Sequence, residues 1–175
     1  HLLSVALTRR TGQPTEAYAA QHLFGPLGIT DYRWRRDPQG VAIGGWGLYL
    51  HPRDMARLGQ LYLQLGEWQG RQVVPRAWAA RAFAPQVDMS LPGYRYADAW
   101  WALPALGATM MVGYNNQLVL VLPQQGVVAA VTGHARYRLD DLVKHLQRTV
   151  RSATALPDNP PAQAALRERI AAAAT

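Results

Sequence analysis

The chain has no cysteine, which excludes disulfides, cysteine nucleophiles and thiolate metal sites. It has one lysine, Lys144, and its serines are Ser4, Ser90 and Ser152 alone. A Ser-x-x-Lys pair puts both side chains on one helical face, so that the amine can take the serine proton. Asp141 stands three residues before the sole lysine, so that pair is absent. No serine lies in Gly-x-Ser-x-Gly, so there is no nucleophile elbow. GxGxxG is missing, and Gly44-Gly45-Trp46-Gly47 lacks the Gly-Lys-Ser/Thr of a phosphate loop. His1, His22, His51, His134 and His145 show no H-E-x-x-H spacing, so no metal site is expected. No apolar run approaches the ~20 residues of a membrane-spanning helix. LLSVAL follows His1 without the basic leader of a secretory signal.

What is present is enough for one domain with a core: 175 residues, 49% hydrophobic. The net charge of +7 is almost all arginine. Such a balance has two readings, a nucleic-acid patch or an arginine- and alanine-rich coding bias. The arginines are scattered, with no basic run interleaved with stacking aromatics, and no nucleic-acid partner is expected. Asp140-Asp141 complements a helix N-terminus better than it forms an acid/base pair.

Periodicity predicts helices first. Leu2 to Arg10 reads as a helix ended by Gly12. Thr15 reads as the cap of a second helix that stops near Phe24, before Gly25-Pro26. GPLGITDYRW reads as an irregular connector. Pro52 and Asp54 open a helix whose stripe is Met55, Leu58, Leu61, Tyr62 and Leu65, closed by Gly66. GEWQGRQVVP reads as a tight turn, and Pro75 opens a helix to about Phe83. From Tyr94 the pattern becomes β-like: YRYADAWWAL, ATMMV, QLVLVLP and GVVAAVTG, the last two apolar throughout. Leu139, Leu142, Val143, Leu146 and Val150 form the stripe of a closing helix over 138–151. DNPP breaks the chain before an Ala-rich tail, residues 154–175. The expected fold is α+β: residues 1–90 mostly helical, and an antiparallel section of three or four strands over 94–133. So small a sheet, apolar on both faces, is expected to need more cover than this chain supplies.

IGGWGLYLHPRDMARLGQLYLQLGEWQGRQVVP, residues 43–75, carries a glycine pair, a capped helix and a Gly/Trp turn in sequence. In that order they resemble the serine β-lactamase-like hydrolases. This family spans class C β-lactamases, D-alanyl-D-alanine carboxypeptidases, esterases and 6-aminohexanoate-dimer hydrolases. Residues 1–31 resemble the segment after the family's tyrosine motif, and GYNNQLVLVLPQQGVVAAVTG, residues 113–133, resembles its late strand pair. The resemblance covers roughly residues 1–150 and is most specific in the middle block. It implies a mixed sheet backed by helices, with an active site facing an all-helical lobe. It also implies that the family's Ser-x-x-Lys and Tyr-x-Asn motifs precede His1, which makes this the C-terminal portion of such an enzyme. Tyr114-Asn115-Asn116 has the spelling of the tyrosine motif but the position of the family's "GYGGQ" turn. The third motif then falls on Met111-Val112-Gly113. The resemblance assigns substrate binding and the oxyanion hole to Met111, Val112, Gly113, Tyr114 and Asn115, with the Tyr114 N–H as donor.

Four departures stand out. Asn115-Asn116 replaces a glycine pair. YRYADAWWAL replaces a glycine-rich run but keeps Trp100-Trp101, which suit a cleft wall and core packing equally. His51 replaces a threonine at the helix cap. Met111 offers no charge where lysine or histidine is usual, which argues against a β-lactam carboxylate and towards esters or amides. Two functions follow as expectations. One is the C-terminal portion of a serine hydrolase acting on a small-molecule ester or amide through an acyl-enzyme. It would need no cofactor, would be inactive without the missing N-terminal half, and would sit in the bacterial periplasm, envelope or cytoplasm. The other is a non-catalytic binding or scaffold chain that keeps the family shell.

Overall fold

The computed structural model describes residues 1–133, 138–150 and 157–173. Two of the residues considered above, His134 and Ser152, lie outside them. Helix α1 (Leu2–Thr11) ends at Gly12, which is left-handed at φ 72°. Helix α2 (Thr15–Ala19) runs on into a single π turn, Ala20–Phe24. Thr15 does not cap it. Pro14, extended at ψ 139°, takes the cap position without a side-chain bond. The Thr15 hydroxyl instead donates to the Ser4 carbonyl at 2.8 Å. The Ser4 hydroxyl, buried, lies 2.6 Å from the Ala42 carbonyl. A threonine spent on joining two helices is not free to cap one of them.

The expected connector holds a strand. β1 (Tyr32–Trp34) pairs antiparallel with β2 (Leu48–Leu50), the stretch that leads into helix α3 (Pro52–Leu63). β3 (Glu67–Trp68) and β4 (Arg71–Gln72) form the tight turn read from the sequence. Helix α4 (Arg76–Arg81) follows. α3 delivers Leu61 and Leu58 to a cluster with Phe24, Leu27, Ile29, Tyr32 and Trp34.

The main sheet has six strands in the order β10-β9-β8-β7-β6-β5, not three or four. These are β5 (Val87–Asp88), β6 (Arg95–Ala97), β7 (Trp100–Leu103), β8 (Ala108–Val112), β9 (Leu118–Leu122) and β10 (Val127–Val131). Two strands went uncounted. YRYADAWWAL is a hairpin, because Asp98 and Ala99 turn the chain at φ 44° and 73°. β5 is two exposed residues, Val87 and Asp88, too few to show an alternation.

The sheet's cover comes from within the chain. β9 is buried along its whole length. Leu118, Leu120 and Leu122 face helix α5 (Leu139–Thr149), whose Val143 is fully buried beside them. Val119 and Val121 face α3, which passes so close that Gly59 lies against Val119 and Val128. Apolar runs on β9 thus read correctly as a strand covered on both faces. Helix α6 (Pro160–Ala173) is exposed throughout. Among the described residues no helix is long and apolar enough to cross a membrane.

Candidate functional site

β8 and β9 are joined by a turn that contains every predicted site residue except Met111 and Val112, which end β8. Met111, half-buried, packs against the cluster of Ala82, Trp100 and Val121. Trp100 is in the core, 3% exposed, and its ring meets that of Tyr62 at 4.6 Å with a 50° tilt; the cleft-wall reading does not hold for it. Trp101 is half-buried and meets Tyr94 edge-on at 6.1 Å. Val112, Gly113 and Tyr114 are exposed, Tyr114 at 87%. Asn115 is half-buried.

The turn closes on itself. The Gly113 N–H donates to the Gln117 carbonyl at 2.7 Å, and the Gln117 N–H to the Tyr114 carbonyl at 3.4 Å. Gly113 is extended at φ −104° and ψ 177°. A Cβ there would stand 3.3 Å from the Gln117 carbonyl oxygen, so a side chain would crowd the closing bond. Asn115 and Asn116 are both left-handed, at φ 57° and 61°. Asparagine is the side-chain-bearing residue that tolerates this region best, because its short amide can bond locally. That gives the departure from a glycine pair a physical reason: the backbone that glycines would adopt is retained.

Among the described residues the Tyr114 N–H has no acceptor. Among the described residues the Tyr114 and Asn115 amides of this turn are thus both unbonded, beside an exposed aromatic ring, at the end of a strand anchored by Met110 and Leu120, both 0% exposed. A fixed N–H of this kind can bind a carbonyl oxygen or an oxyanion.

Elsewhere, His51 stands at the cap position of α3 without capping it. Its Nε2 lies 2.9 Å from Asp31 Oδ2. That hydrogen bond, and then the Asp31 charge, hold its pKa above the ordinary value. Tyr94 is pushed up by burial and by Asp140. Asp54, buried, takes a 2.7 Å bond from Arg57, which also bonds the Gly28 carbonyl. Sequence reading missed the Ser4–Thr15 link and this Asp54 pair. Polar residues four apart, Ser4 and Thr8, were the available signal for the first. Two shallow concavities open on other parts of the molecule, one beside Arg36 and Val41 and one beside Arg57 and Trp68. Neither includes residues 111–115. Among the described residues no three histidine or acidic groups gather as metal ligands.

No protein-family profile matches the chain, and no curated protein sequence matches it. Solved structures do. A protein of Bacillus anthracis described as a candidate 6-aminohexanoate-dimer hydrolase superposes with a TM-score of 0.71 at 21% identity. The match covers 83% of this chain and 42% of that one. A candidate β-lactamase of Bacteroides dorei DSM 17855 gives 0.56 at 14% identity, over 79% of this chain and 52% of that one. At such identities the likeness is one of fold: an antiparallel sheet with helices, as in β-lactamase-like proteins. The chain spans about half the length of these neighbours or less.

Proposed function

We propose that this chain is the C-terminal, sheet-bearing portion of a serine hydrolase that cleaves ester or amide bonds through an acyl-enzyme. The unbonded Tyr114 N–H carries the reading. It sits where the resemblance puts the oxyanion donor, in the turn that follows β8. In the whole enzyme a serine Oγ, outside these residues, would attack the substrate carbonyl, and the Tyr114 N–H would hold the oxygen as it gains charge. Collapse expels the alcohol or amine, and water then cleaves the acyl-serine ester. One such donor is worth ~3 kcal/mol at the transition state. Gly113, Val112 and Asn115 would line the mouth, and Tyr114 would offer its ring to the substrate. Met111, half-buried against Trp100 and Val121, offers no charge to a substrate carboxylate, in keeping with a neutral ester or amide. Without the serine and lysine these residues alone would be inactive.

The test begins with the coding DNA upstream of His1. The extended frame should contain Ser-x-x-Lys and Tyr-x-Asn, and its product should form an acyl-serine adduct with a p-nitrophenyl ester, seen by mass. In that protein Tyr114→Pro removes the N–H. Gly113 is already extended, as a residue before proline must be. kcat should fall by about 10²–10³. Tyr114→Ala, which keeps the N–H, should lose far less. An upstream frame without these motifs, opening at His1, would replace this reading with that of a non-catalytic binding chain.

A further inference from the structure

The small sheet of β1 and β2 has one packed face and one open face. Tyr32, Trp34, Leu48 and Leu50 pack inwards on the Phe24 cluster. The residues between them point out, because side chains alternate along a strand. They stand in three rows: Asp31 with His51, Arg33 with Tyr49, and Arg35 with Gly47. All but Gly47 are exposed.

The two arginines are held in place. Arg33 lies over the Tyr49 ring, 4.5 Å from its centre, and Arg35 over the exposed Trp46 ring at 5.1 Å. The arm of Arg35 crosses Gly47, where a Cβ would stand 2.9 Å from Cβ of Arg35. Stacking fixes a guanidinium plane and leaves the N–H groups around its rim to donate. Arg36, Arg57, Arg81 and Arg95 each bond a carboxylate. Among the described residues Arg33 and Arg35 bond none. They are ordered cations whose donors are unused.

We propose that this face docks an extended acidic segment of a second protein, one with carboxylates two residues apart. Arg33 and Arg35 are themselves two residues apart, ~6.8 Å at ~3.4 Å per residue. Side chains on one side of any extended chain repeat at that distance. Acids at i and i+2 therefore meet both guanidiniums in register, each able to accept a forked pair of bonds. Adjacent acids point to opposite sides, so only one of them can reach. Asp31 ends the pattern: a third acid in its row would meet a carboxylate instead of a cation. That also disfavours a nucleic acid, whose backbone charge is continuous. So does the stacking, because a guanidinium already takes one face of each ring on which a base would lie. The proposal stands on the β1–β2 face and does not depend on the reading of the Tyr114 turn.

The experiment uses the chain 1–175 and has no catalytic step, so its failure leaves the acyl-enzyme test untouched. The probe is the peptide Thr-Thr-Glu-Thr-Glu-Thr-Thr, blocked at both ends. Its control, Thr-Thr-Thr-Glu-Glu-Thr-Thr, has the same composition and charge. Threonine favours the extended form in both. NMR titration, read at the Nε–H groups of Arg33 and Arg35, should show the probe binding saturably and about fivefold more tightly than the control. Arg33→Gln and Arg35→Gln should each bring the probe to the level of the control. Tyr49→Leu and Trp46→Leu keep both charges but release the guanidiniums, and should each weaken the probe about twofold. Arg71→Gln, at an exposed arginine of β4, should change nothing. The proposal is overturned if the probe does not saturate, if the two peptides bind alike, or if Arg71→Gln costs as much as Arg33→Gln. It is also overturned if an oligothymidylate binds as tightly as the probe, or if the protein extended upstream of His1 no longer binds it.

Discussion

Gly59 is the tightest point between α3 and the sheet, and Gly59→Ala should destabilise the fold. A Cβ at that position would stand 2.6 Å from Cγ1 of Val119, 2.6 Å from Cγ1 of Val128 and 3.6 Å from Cγ2 of Val121. Ordinary carbon contacts are ~3.5–4.0 Å, so two methyl groups must each retreat by about 1 Å. Both belong to β-branched side chains with few rotamers, on the two strands that α3 crosses. Overpacking of a close-packed interior costs about 1–3 kcal/mol. Against it, alanine gains about 1 kcal/mol over glycine in a helix interior. With two stiff partners the clash should win, by about 1–2 kcal/mol. At about 2–4 °C per kcal/mol, Tm should drop by about 2–8 °C. Urea unfolding of the chain gives the free energy, and Val128→Ala supplies the second arm. In the double variant one clash is relieved, so its loss should be smaller than the sum of the single losses by about 1 kcal/mol. A Gly59→Ala chain as stable as the parent, or strictly additive losses, would refute the packing argument.

Ser4→Ala should cost about 1–3 kcal/mol by urea unfolding, because the buried Ala42 carbonyl loses its partner at 2.6 Å. Asn115→Val places a β-branched residue at φ 57° and should cost about 1–2 kcal/mol, whereas Asn115→Gly should be neutral or better. His51 should titrate above its ordinary value, and Asp31→Asn should return it there, as read by NMR of the imidazole protons. Because the folded-state pKa is raised, any stabilisation from this exposed pair is complete below about pH 6.5 and is lost as pH rises through the folded value.

The parts that repeat were legible in the sequence. α3 and α5 carry apolar stripes over three turns, and β9 is an unbroken apolar run, so their type and their faces could be read. Short pieces were not legible. β5 has two residues, and β1 and β2 have three each, too few to show a period. Asp98-Ala99 hid a hairpin because neither is a glycine or proline, although both are left-handed. Thr15 had the chemistry of a cap and found a better partner in Ser4, for which the spacing of Ser4 and Thr8 was a hint but named no partner. At the candidate site the turn between β8 and β9 was placed correctly. What the sequence could not supply was the direction of Met111 or the unbonded state of the Tyr114 amide. The first is set by packing against Trp100 and Val121, the second by the geometry of the turn itself.

The order β10-β9-β8-β7-β6-β5 is the order of the strands along the chain, reversed. Every strand pairs with its successor, so the sheet can zip from local hairpins with little loop entropy to overcome at any step. α3 is the exception. It precedes the sheet by a long stretch of chain and must dock on β9 and β10, the last strands to be made. The slow step of folding should then be the seating of α3, with the meander already largely formed. Val119 and Val128 would be among the last contacts to close. On this account Gly59→Ala speeds unfolding far more than it slows folding.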